Sequence, residues 1–334
     1  MLSARTRMGA ALFVGLVTAA AGLGTAAPAS AALVTRCVGE GGAVTVPGDL
    51  VIPAGQSCDL TGTTVNGNVR VASGASLIGS KVTLNGKVDV AADGFAEIRD
   101  ASVEGKVTGH GSFGVYLIGS ELGSDASLRR SADSNVDGFL FLEDSSLDGT
   151  ASATTGELVL TGSRVGGNLI GRGNTYVDAF DSVVDGDVSV IGTSAGSVIC
   201  DSEVFGNALF RSNAGSLQLG AHSPISLCSA VTYWGGNVKI VDNTATTDFS
   251  NNIVRRNLVG TGNNPAPVGH DNRVRGTTSG QFRDLQVAPD SATRKLFAGA
   301  GDASAQGTDE VKATATQRQD AAAASAAVAG RAQL

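Results

Sequence analysis

Val65-Asn66-Gly67-Asn68-Val69, Leu84-Asn85-Gly86-Lys87-Val88 and Val103-Glu104-Gly105-Lys106-Val107 are three copies of one pattern: an apolar residue, any residue, glycine, a polar residue, then a second apolar residue. The pattern returns as Leu147-Asp148-Gly149-Thr150-Ala151, Val165-Gly166-Gly167-Asn168-Leu169, Val184-Asp185-Gly186-Asp187-Val188 and Val204-Phe205-Gly206-Asn207-Ala208. Further copies centre on Gly236, Arg256 and Gly276, and a degenerate one, Leu122-Gly123-Ser124-Asp125-Ala126, fills the gap after Val107. The centres fall at 67, 86, 105, 124, 149, 167, 186, 206, 236, 256 and 276, so most steps are 18 to 20 residues and two, of 25 and 30, read as loop insertions. A fixed period in this range marks a stack of equivalent units, each unable to bury its apolar face alone.

Working outward from the anchors, a second apolar pair precedes each centre by nine and seven residues: Ala96/Ile98, Val115/Leu117, Leu140/Leu142, Leu158/Leu160 and Val177/Ala179. Spacing of two is strand spacing, with both side chains on one face. Four residues before the centre stand Ser120, Ser145, Ser163, Ser182 and Ser202, then Asn252 and Asn272. Small polar residues at that place suit a corner whose backbone groups they hydrogen-bond. These columns predict an all-β chain, a right-handed parallel β-helix of about eleven coils. The period-two pairs and the lack of helix formers before residue 285 exclude a helical solenoid, and a propeller needs blades of about 40 residues.

The ends differ from the body. Arg5 and Arg7, an apolar run from Met8 to Leu23 and the small residues Ala29-Ser30-Ala31 predict a signal peptide over residues 1–31. Residues 32–62 are expected to cap the rod, residues 63–285 to form the β-helix, and the Ala-rich residues 286–334 to be either a mobile tail or a helix. The chain has 24 basic and 31 acidic residues, a net charge of -7. Removal of Arg5 and Arg7 would leave it more acidic still, which disfavours nucleic acid as a partner. No second apolar run reaches bilayer length, so no transmembrane segment is expected. The even count of four cysteines predicts disulfides in an exported chain, with Cys37–Cys58 and Cys200–Cys228 preferred because each closes a short loop. No C-x-x-C is present, and His110, His222 and His270 lack ligand spacing, so no metal and no cofactor is expected.

For acid–base chemistry the densest acidic coil holds Asp178, Asp181, Asp185 and Asp187. A glycosidase or lyase would need several carboxylates brought together in an open groove. Asp181 and Asp185 occupy places where other coils carry Gly, Asn or Ser, so a turn-forming role is expected for them. Tyr233 and Trp234, in the longest insertion beside Cys228, are expected to project from the rod and are the aromatic candidates for sugar contact. Arg255, Arg256, Arg273 and Arg275 recur at equivalent turns of the last two coils, where stacked cations could meet an anionic polymer.

In Cys58-Asp59-Leu60 leading into Val65-Asn66-Gly67-Asn68-Val69, and in Asn257-Leu258 followed by Asn263-Asn264-Pro265-Ala266-Pro267, the chain resembles secreted actinobacterial repeat proteins of β-helix type. The resemblance covers about residues 35–285 and implies the fold without a mechanism. In period and glycine corners it also resembles the bactofilins, which implies a polymer-forming scaffold and self-association. Three functions follow for test: a secreted non-catalytic β-helix binding cell-wall or extracellular polysaccharide, a polysaccharide lyase or hydrolase, and a polymerising scaffold.

Overall fold

The structure, a computed structural model, describes residues 33–221, 228–286 and 301–334. Residues 1–31, read from the sequence as a signal peptide, lie outside the described residues. The chain is a parallel β-solenoid of three sheets, with thirteen, eleven and twelve strands, in which every third strand along the chain is a hydrogen-bonded neighbour. One coil therefore visits the first, second and third sheets in turn, and every pairing between named strands is parallel.

The glycine anchor joins the third sheet to the first. Val65, Leu84, Val103 and Leu122 are in register in the third sheet and point inward. Val69, Val88, Val107 and Ala126 do the same at the start of the first-sheet strands. Between them the corners of successive coils lie directly on one another: a Cβ at Gly86 would sit 2.4 Å from the carbonyl oxygen of Gly67. Glycine recurs there because backbone approaches backbone. The pairs such as Ala96/Ile98 are the inward residues of the second sheet, whose longer strands include Phe95–Arg99 and Gly114–Ile118.

The serine column forms a ladder at the corner after the second sheet. Ser145, Ser163 and Ser182 donate their backbone N–H to the hydroxyls of Ser163, Ser182 and Ser202 at 3.1–3.2 Å. Each of these hydroxyls donates in turn to the carbonyl two residues earlier, as Ser182 does to Phe180 at 2.7 Å. The preceding corner residues take φ near +50°, with Asp100, Asp144, Asp181 and Asp201 at that place, a conformation Asp tolerates better than most residues. A second ladder, of amides, runs through Asn213, Asn243, Asn263 and Gln281 inside the later coils. It satisfies buried backbone N–H groups where the coil turns.

The rod has about thirteen coils rather than eleven, because residues read as a cap contribute ladder strands. Val34–Arg36, Thr45–Val46 and Asp49–Ile52 pair with later coils, and Val46 stacks on Val65. Val46-Pro47-Gly48-Asp49-Leu50 is itself an anchor, with proline at its variable place. Thr278–Gly280 extends the first sheet at the other end.

The tail is a helix, α1 (Gly301–Ala329), that returns along the rod. Val311, Ala315, Ala322 and Ala326, spaced by four or seven, line its docked side. Gly330 ends it at φ +79°, the left-handed turn typical of a helix terminus. Beyond it, Glu40 donates to the Gly330 carbonyl and Ala332 donates to the Glu40 carbonyl, both at 2.8 Å. Ala332 and Leu334 pack on the core. The chain's own C-terminus thus covers the first edge of the second sheet, where an exposed strand edge would invite pairing with other chains.

Both expected disulfides are present, Cys37–Cys58 and Cys200–Cys228. Cys37 and Cys58 are fully buried in the core. Closing a loop with a separation of 21 residues is worth about 3 kcal/mol in the chain-entropy model. Denaturant unfolding with and without reductant is expected to show a lower midpoint for the reduced protein, and coincident midpoints would contradict it.

Candidate functional site

Because most second-sheet strands are five residues long, they present two or three outward side chains each. Those side chains are apolar in the early coils: Ile78, Phe95, Tyr116, Phe139, Phe141 and Val159 form a buried cluster with Ala315 and Ala322 of α1. The rings meet edge-on or tilted, Tyr116 against Phe141 at 5.8 Å and Phe139 against Phe141 at 4.7 Å. The Tyr116 hydroxyl donates to Glu143, which also pairs with Lys312 of α1 at 3.1 Å. Burial, and then the bond to Glu143, raise the Tyr116 pKa. The same bond, then Lys312, hold the Glu143 carboxyl below its usual range. Glu157 lies under the helix without a cation partner among the described residues, and burial with Asp178 and Glu310 nearby pushes its pKa up to about 7.

The third sheet carries a different outer face near the C-terminal end of the rod. Glu203, Tyr233, Ile253 and Arg273 stand in register on its outside. Two residues on along the chain, past the inward Val204, Trp234, Val254 and Val274, come Phe205, Gly235, Arg255 and Arg275. The backbone N–H of Arg255 donates to the Trp234 carbonyl and that of Arg275 to the Val254 carbonyl, so the two arginines sit on successive coils. The Phe205 and Tyr233 rings lie 6.0 Å apart, with Phe205 about half exposed. Arg255, Arg256, Arg273 and Arg275 are all exposed, and among the described residues none of them is in an ion pair. The two aromatic rings and the four cations therefore follow one another over four successive coils, the rings on the first two and the arginines on the last two.

Trp234 does not project. Thr232–Trp234 is a ladder strand, and Trp234 is fully buried in the inward column between Val204 and Val254. Its Nε1–H donates to Asn252 at 2.8 Å and its ring meets Phe210 edge-on at 5.9 Å. The indole replaces the column's valine because one polar partner and an apolar wall are both available inside the rod. The exposed ring beside Tyr233 is instead Phe205, which sequence reasoning missed because it fills the anchor's variable place.

The four acids of the densest coil are not brought together. Asp178 is fully buried on the outer side of the second sheet and accepts the Val198 N–H at 2.7 Å. Asp181 sits at the φ-positive corner. Asp185 pairs with Arg164 at 2.7 Å. Asp187 accepts the Asn207 N–H at 2.7 Å, one rung of an external ladder with Asn168 and Asn237. Among the described residues the only set of three metal-ligating side chains within 4.8 Å of one another is Cys200, Asp201 and Cys228. The two sulfurs there are bonded to each other, and the Asp201 carboxylate accepts the Ala230 N–H at 2.7 Å. That arrangement closes a turn.

Comparison with protein-family models, with curated proteins and with solved structures finds no match.

Proposed function

We propose that the chain is an exported, non-catalytic β-solenoid that binds an anionic polysaccharide through the arginine-rich end of its third sheet. The observation that carries this reading is the set of exposed Arg255, Arg256, Arg273 and Arg275 on two successive coils, without acidic partners among the described residues, beside the Phe205–Tyr233 pair. Planar guanidinium groups suit carboxylate and phosphate oxygens bidentately, and aromatic faces suit sugar rings. Neighbouring coils repeat every ~4.8 Å, a spacing on the scale of one sugar unit. Parallel columns would therefore present charge to successive units of an extended polymer. The two disulfides and the signal-peptide pattern support an extracellular location.

Co-sedimentation with polygalacturonate is the test. Arg255→Ala combined with Arg275→Ala is expected to weaken binding at least tenfold while leaving the melting temperature within a few degrees, since both side chains are solvent-facing. Binding should also weaken steeply with salt, because it releases counterions from a polyanion. Undiminished binding by the double variant would remove this reading.

A further inference from the structure

Glu157 lies under α1 in surroundings that conflict with its chemistry. It opens the strand Glu157–Thr161 on the outer side of the second sheet and is only 8% exposed. Its Oε2 has no hydrogen-bond partner among the described residues. The groups that face it carry the same sign: Asp178 from the next strand and Glu310 from the helix. Tyr176 is its register partner, and the adjoining corner supplies Asp137, already held by Arg130 at 3.3 Å and Thr155 at 2.9 Å. The rest of the wall around this cavity, of about 260 Å³, includes Phe113, Phe139 and Val311. An ionised carboxylate here would have lost its water without gaining a cation among the described residues, which is strongly unfavourable.

Further along the helix a second buried carboxyl, Glu97, is also raised by burial and faces Asp320 of α1, but Arg99 pairs with it at 2.5 Å and also reaches Gln319 of the helix. Arg318 donates to the Gly74 and Asp93 carbonyls at 3.2 and 3.1 Å and stacks on Phe113 at 5.2 Å. Lys312 pairs with Glu143. Gly330 and Ala332 hydrogen-bond Glu40.

We propose that α1 is a pH-gated strap: it lies on the second sheet while Glu157 is protonated, and its Glu310 end lifts when that carboxyl ionises, uncovering the aromatic face around Phe139 and Phe141. Removing the helix returns Glu157 to water and takes Glu310 away, so the carboxyl falls back towards its ordinary range with Asp178 still beside it. Docking therefore takes up a proton. The sign follows from a docked pKa of about 7 against an ordinary 4.5: docking is strongest below 4.5, weakens as pH rises between the two values, and levels off above about 7. Ten-fold per unit gives at most about a thirtyfold weaker docking equilibrium at pH 8.5 than at pH 5.5, because the part of the shift due to Asp178 stays with the sheet. Glu143 acts in the opposite sense but in another range, since its depressed carboxyl gives up its pairing only on acidification.

Hydrogen exchange of the full chain, corrected for the intrinsic pH dependence of exchange, tests this. Protection of the α1 amides around Glu310 to Thr314 is expected to fall between about threefold and thirtyfold from pH 5.5 to pH 8.5, while amides of the first sheet hold theirs. E157Q, which keeps the shape and cannot ionise, is expected to show a flat profile. E310Q, at an exposed position, is expected to fold normally and to shrink the pH response without abolishing it. A wild-type helix with constant protection, or an E157Q protein with the same pH response as wild type, would overturn the proposal.

Discussion

Val184→Asp is expected to stop the middle coils from folding. Val184 is 1% exposed and stacks in register between Val165 and Val204, with the Gly186 corner immediately after it. A carboxylate at that place would have apolar side chains above and below it and no cation in the column. Burying it unpaired costs several kcal/mol, and domains of this kind have only about 5–15 kcal/mol in total. Secretion yield and the circular-dichroism melting curve are the measurements, and a variant that melts like wild type would show that the drawn register is wrong. Asp185→Asn provides the contrast one residue along. It removes only the solvent-facing pair with Arg164 and should change stability by less than about 1 kcal/mol.

Trp234→Ala should be nearly as damaging, for a different reason. The indole is the largest fully buried side chain of the rod. Its removal opens a cavity beside Phe210 and leaves the Asn252 oxygen without its indole donor. Substitutions of this size typically cost about 3–5 kcal/mol. Trp234→Phe, which fills most of the space and loses the hydrogen bond, should fall between wild type and alanine. Chemical denaturation of the three proteins separates them, and a Trp234→Ala midpoint equal to that of wild type would mean that the ring lies outside the column.

The two substitutions also mark how far the fold is legible from sequence. Columns built from Val, Leu and Gly announce themselves through their period, because each must stack on an equivalent neighbour. Where a column changes residue type the period fades. Pro47 hides the anchor around Gly48, and Trp234 reads as part of a projecting loop although it stands in the place of a valine. The serine corner is legible as a column, but its left-handed predecessors alternate between Asp and Gly and look like scattered acids. Asp181 entered as a candidate acid through the density of its coil, and its place in this corner column is the turn-forming role expected for it.

The position of α1 could have been inferred from the strands it covers. Phe139-Leu140-Phe141-Leu142 and Val115-Tyr116-Leu117-Ile118 are apolar at consecutive positions. A strand with one wet face alternates, whereas a strand buried on both faces does not. The matching face of the helix is harder to see because alanine supplies most of it, at Ala315, Ala322 and Ala326. Glu157 follows the same logic in reverse, since an isolated acid within such a strand gives no sign of burial until the helix is in place. The arginines were visible as recurring residues, but their adjacency to Phe205 and Tyr233 required the register.

Binding without cleavage is the central functional claim, and one sample tests both halves. The purified protein is incubated with polygalacturonate at low salt, the bound fraction is measured by sedimentation, and the polymer's chain length and unsaturated ends are followed in the same tube. The account predicts saturable, salt-sensitive binding with the chain length unchanged. Shortening of the polymer, or no binding at low salt, would contradict it.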